Sequence, residues 1–205
     1  MKVPAFVAAA ALAAALVPAA RAAGIDLLPD APGAERTVRM FDLFCMTHVP
    51  NLATIARFAS ANFEEITGAA LDRYRPEVEP EELRAWRFAE FGADYALVIT
   101  RSAPNRAFRE AEPDFADATS YDCTLVLPAA TPQGEIRAAM TALMAREPDD
   151  VFEAGNIAAA RWDGRTEAML VNVLHYGPAS GAPGGGLKSV AFVLPPHSAG
   201  KSDSQ

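Results

Sequence analysis

The chain has 205 residues, 51% of them hydrophobic and 21% charged, with a formal net charge of −8. That length is enough for one domain with its own core. The acidic balance argues against the basic patches through which proteins hold nucleic acid or anionic lipid.

The chain opens on the pattern of an export signal. Lys2 is followed by an unbroken apolar run from Phe6 to Val17, then Pro18 and the small-x-small site Ala20-Arg21-Ala22. A basic start, a short apolar run and a small-residue site are what signal peptidase reads. The run is shorter than the roughly 20 residues a membrane helix needs. Residues 1–22 therefore read as a signal peptide cleaved after Ala22, leaving a soluble periplasmic or secreted product with no membrane insertion. Loss of Lys2 and Arg21 takes the net charge to −10. In an oxidising compartment, Cys45 and Cys123, 78 positions apart, read as one stapling disulfide. A redox pair would sit two residues apart as C-x-x-C.

Residues 23–36 lack periodicity and form a strap; a single domain spans 37–195, and 196–205 read as a disordered tail. Within the domain, 37–44 alternates loosely as a short strand. Pro50-Asn51 opens a helix with Leu52, Ile55, Ala56, Ala59 and Phe63 on one stripe, stopped at Gly68. The acidic, proline-bearing stretch 69–82 leads to one helical turn at 81–83. Strands follow at 85–89 and 95–100, divided at Gly92, then a long exposed loop over 101–118 and a strand at 121–127. A second helix is capped by Thr131, starts on Pro132 and buries Ile136, Met140, Leu143 and Met144, ending at Pro148-Asp149-Asp150. Asp163-Gly164 between the apolar runs 157–162 and 165–174 predicts a two-residue hairpin turn. A mobile glycine-rich loop over 177–186 precedes the last strand, 187–194.

The predicted fold class is α+β: an antiparallel sheet with two helices on one face, which buries one sheet face and both helix stripes. The two halves also read as copies of an α-β-β-β unit, each with a Trp-bearing strand (Trp86, Trp162) and a strand ending Leu-Val-Leu-Pro or Phe-Val-Leu-Pro. The alternative is a coincidence of short apolar strings.

Signatures of chemistry are sparse. The sequence has no nucleophile elbow, zincin helix, phosphate-binding loop or zinc-type Cys/His spacing, and so implies no cofactor. Met46 and His48 beside Cys45 offer soft ligands of the kind copper takes, although a disulfide would remove the thiolate. His175 and Tyr176 end a strand beside the glycine-rich loop, where a histidine with loop carboxylates would suit a hydrolase. The carboxylate pairs Glu64-Glu65, Glu81-Glu82 and Asp149-Asp150 read as solvated surface. Trp86 and Trp162 would form a platform for a ligand if exposed, but alternating strands favour their burial.

Between residues 40 and 146 the chain resembles a group of small exported proteobacterial proteins of unassigned activity. The resemblance rests on Cys45 before the first helix, the aromatic strand at Trp86, Tyr95-x-Leu97, the strand Cys123-Thr124-Leu125-Val126 and the helix Ile136–Met144. It implies a periplasmic location and a Cys45–Cys123 bridge. The function expected is thus a non-enzymatic binding or interaction module for a protein or small-molecule ligand. Copper handling through Met46 and His48, or hydrolysis through His175, are the alternatives. Export is checked by intact mass: the protein recovered from a periplasmic fraction should begin at Ala23, and a mass that retains residues 1–22 contradicts cleavage.

Overall fold

The computed structural model describes Leu28, residues 31–180 and residues 184–196. Residues 1–22, read as a signal peptide, half of the strap (23–27, 29 and 30), His197 and the rest of the tail lie outside the described residues.

Helix α1 spans Ala34–Phe41 and runs into a π-helical turn at Asp42–Met46. The strand expected at 37–44 is therefore helical, and the strap expected to run to residue 36 gives way to α1 at Ala34. The burial pattern explains why: Val38, Phe41 and Cys45 are buried at helical spacing, so the loose alternation was one stripe of a helix. Helix α2 is Leu52–Asn62, and Asn51 caps it by accepting from the Thr54 N–H at 3.2 Å. It ends before Gly68, because Glu64–Ile66 leaves the helix to become edge strand β1. The short helical turn falls at Ala69–Asp72 (α3), not at 81–83. Glu82 instead opens β2 (Glu82–Glu90), where Glu82 and Leu83 pair with Arg101 and Thr100 of β3 (Ala93–Ser102).

The stretch expected as an exposed loop, 101–118, finishes β3 and then holds α4 (Arg106–Ala111) and a 3-10 turn at Pro113–Phe115. Asn105 caps α4, and Phe115 is fully buried against the sheet. Strand β4 (Thr119–Val126) precedes α5 (Gln133–Met144). Pro132 occupies the cap position of α5, with no side-chain cap, so Thr131 contributes only its carbonyl, which accepts from Gln133 Nε2. The helix ends earlier than expected, at Ala145 in the left-handed region.

Four strands follow: β5 (Asp150–Ala154), β6 (Ile157–Arg165), β7 (Met169–Pro178) and β8 (Gly186–Val193). Asp163-Gly164 is not a turn. Asp163 pairs with Asn172 and Gly164 with Val171 inside the β6–β7 ladder, and Asn172 Nδ2 donates to Asp163 Oδ1 at 2.7 Å. The two-residue turn is Gly155-Asn156, between β5 and β6, where Gly155 takes a positive φ of 62°. The glycine-rich segment expected as a loop from 177 to 186 is shorter, because Gly177 and Pro178 complete β7 and Gly186 begins β8.

All eight strands form one antiparallel sheet in the order β1-β2-β3-β4-β8-β7-β6-β5. The α+β antiparallel architecture is the expected one, but each half is a helix followed by a four-strand meander, because β1 and β5 were too short and too charged to be seen in the sequence. The halves meet along β4 and β8. Trp86 and Trp162 hold corresponding places, each on the second strand of its half, paired with Leu97 and Val173 respectively.

The main core lies on one sheet face, where Trp86, Trp162, Leu97, Ile99, Leu125 and Leu187 meet α1, the π-turn, α2 and α5. Three helical segments cover this face where two were expected. Strand alternation sends Ala85, Ala96 and Val98 to the other face, where α3 contributes Leu71. There too Phe115, Leu170, Val190 and Phe192 form a small cluster with Phe108 of α4.

The Cys45–Cys123 disulfide joins the π-turn to β4, with Cα atoms 5.3 Å apart and both residues fully buried. A cross-link closing this much chain stabilises by about 4 to 5 kcal/mol in the chain-entropy account. Reduction should therefore lower the unfolding free energy by an amount of that order, seen as a lower urea midpoint by tryptophan fluorescence with and without reductant; an unchanged midpoint contradicts the assignment.

Candidate functional site

The cavity with the character of a ligand site lies where α1, the π-turn and α2 splay from the β2 edge. It has a volume of about 350 Å³. Met40, Leu43, Phe44, Ile55, Phe58, Phe63 and Phe88 make its apolar walls. The phenylalanines come from four places in the chain and hold one another: Phe44 meets Phe58 with ring centroids 5.2 Å apart, and Phe63 stacks on Phe88 at 4.3 Å. Phe88 stacks in turn on Tyr95, whose hydroxyl lies 3.2 Å from Thr37 Oγ1 of α1.

Polar groups are few and placed at the rim. Arg36 and Glu90 form an ion pair through Nε and Nη2, with Nε at 2.9 Å and the arginine side chain only 12% exposed. Such a pair, mostly withdrawn from water, is held more firmly than an exposed one. His48 and Asn62 also line the rim, and Asn62 spends its amide N–H on the Phe58 carbonyl. Leu28 packs against the same cluster from the strap. Pockets that hold small molecules are mostly apolar with a small number of fixed polar groups, and this volume falls within their usual range.

A larger depression of about 710 Å³ lies over the β1–β3 edge on the other face. Its charged lining includes Glu64 and Arg87, which neutralise each other. That exposed ion pair gives a ligand little to gain.

The sequence-predicted site residues are scattered. Of Met46 and His48, the first packs partly buried against the core and the second faces the apolar cavity. Cys45 is held in the disulfide, so it offers no thiolate for copper. Among the described residues no group of three His, Cys, Asp or Glu side chains is close enough to hold a metal ion. Trp86 and Trp162 have no accessible surface, so burial wins over the platform reading. Trp162 donates its indole N–H to the Arg146 carbonyl at 3.1 Å. The carboxylate pairs sit at the surface in ion pairs with arginines: Glu65 with Arg84, Glu81 with Arg101, Asp149 with Arg146 and Asp150 with Arg161.

His175 and Tyr176 are neighbours in sequence but point to opposite sheet faces, as β7 alternates. His175 is buried under the start of α5, with Nε2 2.8 Å from Gln133 Oε1. Because Gln133 Nε2 donates to the Thr131 carbonyl, its Oε1 faces the ring and accepts the imidazole N–H. Gln133 also fills the space over Gly177, where a Cβ would stand 2.3 Å from its oxygen. The glycine serves close packing there, not motion. Burial, aided by the positive charge of Arg137, pushes the His175 pKa down to about 4. Burial likewise raises the Tyr176 pKa.

The cavity's components were hard to find in the sequence. Phe63 read as an ordinary helix-stripe residue, Phe58 fell outside that stripe, and Arg36 and Glu90 stand 54 positions apart. Comparison with protein-family models, curated proteins and solved structures finds no match for the chain.

The histidine has a measurable consequence. Its folded pKa lies below its unfolded value of 6.5, so the unfolded chain binds the extra proton first. The neutral ring is fully accommodated above pH 6.5, and that stability is lost as the pH falls towards 4. The loss amounts to roughly 3 kcal/mol. A His175→Asn variant should show a flatter urea midpoint between pH 6.5 and pH 4 than the parent; identical slopes contradict the assignment.

Proposed function

We propose that this protein is an exported, periplasmic binding protein that takes a compact apolar molecule into the cavity between α1, α2 and the β2 edge. The observation that carries the reading is the cavity itself: about 350 Å³, walled by four phenylalanines, with the Arg36–Glu90 pair, His48 and Asn62 confined to its rim. A ligand there gains from leaving water, at roughly 25 cal/mol for each Å² of apolar surface buried. The rim orients one polar end. The signal-peptide pattern, the disulfide and the resemblance to small exported proteins support the periplasmic location. No helix among the described residues is long and apolar enough to cross a membrane.

This reading puts the ligand on the helical side of the sheet, not on the face away from the helices. That face is not bare, because α3, α4 and the 3-10 turn cover part of it. Hydrolysis through His175 draws less support, since the ring is bonded to an amide and its depressed pKa lies far from the range of a general base at neutral pH. Copper handling through Met46 and His48 draws less support, since Cys45 is held in the disulfide and offers no thiolate beside them.

The test uses N-phenyl-1-naphthylamine, whose emission rises in apolar surroundings. The parent protein should give saturable enhancement, and Phe58→Arg, which puts a charge into the cavity from a half-exposed helix position, should lower the affinity at least tenfold without unfolding the chain. No saturable signal, or an equal one from the variant, contradicts the proposal.

A further inference from the structure

A second pocket, of about 190 Å³, lies on the opposite sheet face over β3, β4 and β8, walled by α4 and the segment 76–78. It shares no lining residue with the apolar cavity. Three features set its chemistry.

The first is Ser102. Its residue is 8% exposed, it lines the pocket, and its hydroxyl has no hydrogen-bond partner among the described residues. That hydroxyl is not sealed from water, so it stands open to the pocket, able to give and accept hydrogen bonds there. The second is a polar group set beside it by strand register. Ser102 pairs with Ser120, and Ser120 Oγ donates to Asp122 Oδ1 at 2.7 Å. Lys188 Nζ lies 2.7 Å from the other carboxylate oxygen. Both ends of the carboxylate are thus fixed, while the lysine keeps further N–H donors and the carboxylate keeps lone pairs. The third is an apolar wall, where Phe108 stacks on Phe192 with centroids 3.6 Å apart.

We propose that this pocket binds a small neutral hydroxylated ring, a monosaccharide or cyclic polyol. Mixed donors and acceptors on one side match hydroxyl groups, which both give and accept hydrogen bonds. The phenylalanine wall on the other side takes the C–H face of such a ring. The volume admits one ring, not a chain of them. An anion is disfavoured, because Asp122 already neutralises Lys188 and Glu77 at the rim adds a further negative charge.

Amide chemical shifts of the full secreted chain, titrated with myo-inositol, D-glucose and D-ribose, test the proposal. At least one of the three should give saturable shifts centred on Ser102, Ser120 and Lys188. Ser102→Ala should weaken that binding roughly five- to tenfold while leaving the thermal midpoint unchanged, since the hydroxyl faces the pocket. Lys188→Met should weaken it as well, and Phe58→Arg should not. The proposal is overturned if none of the three probes saturates, if both pocket variants bind as the parent does, or if acetate or ethylamine shifts the same amides at lower concentration than every one of them.

Discussion

The disulfide is the constraint on which the arrangement rests. Cys45 lies in the π-turn between α1 and α2, and Cys123 lies on β4, one of the two strands where the halves of the sheet join. The bridge therefore fixes the helical layer to the middle of the sheet. From that anchor α1 reaches across to α5, and α2 lies over the first half. The apolar cavity follows from this geometry. The π-turn and the helices on either side of it face Phe88 and Glu90 of β2, and the phenylalanines between them leave a cavity.

The two faces of the sheet then do different work. The helical face carries the large side chains, Trp86 and Trp162 among them, and the bulk of the buried apolar surface that drives folding. The opposite face is lighter, with small residues such as Ala85 and Ala96 beneath short covering segments. There polar groups come to the middle of the sheet, where Asp122 and Lys188 pair on adjacent strands. The two candidate pockets reflect that division, one apolar and one polar.

Long elements with a strong period were legible in the sequence, and short or interrupted ones were not. The α2 and α5 stripes, the strands around Trp86, Tyr95, Cys123 and Leu187, and the disulfide could be read because each rests on local pattern or on compartment chemistry. The α1 helix was missed because Thr37 to Phe44 has apolar residues at both helix and strand spacing, and only the packing of α1 on α5 decides between them. Edge strand β1 has three residues, two of them glutamates, and no periodicity can mark it. Asp163-Gly164 has the composition of a turn, but the ladder across β6 and β7 holds it extended, while Gly155-Asn156 turns instead. The cavity was illegible for a different reason. Arg36, Phe44, Phe58 and Phe88 are brought together by tertiary packing, and nothing in their spacing announces it.

The strand order has a consequence for how the chain comes into being. Strand β8 is the last element among the described residues, yet it lies at the centre of the sheet, bonded to β4 on one side and β7 on the other. Until residues 186–193 emerge, each half presents an open edge with no partner, β4 in one case and β7 in the other. The sheet has the topology of a clasp, in which β8 is the strand that closes the two meanders into one. A chain of this design gains little from folding before its closing strand has been made.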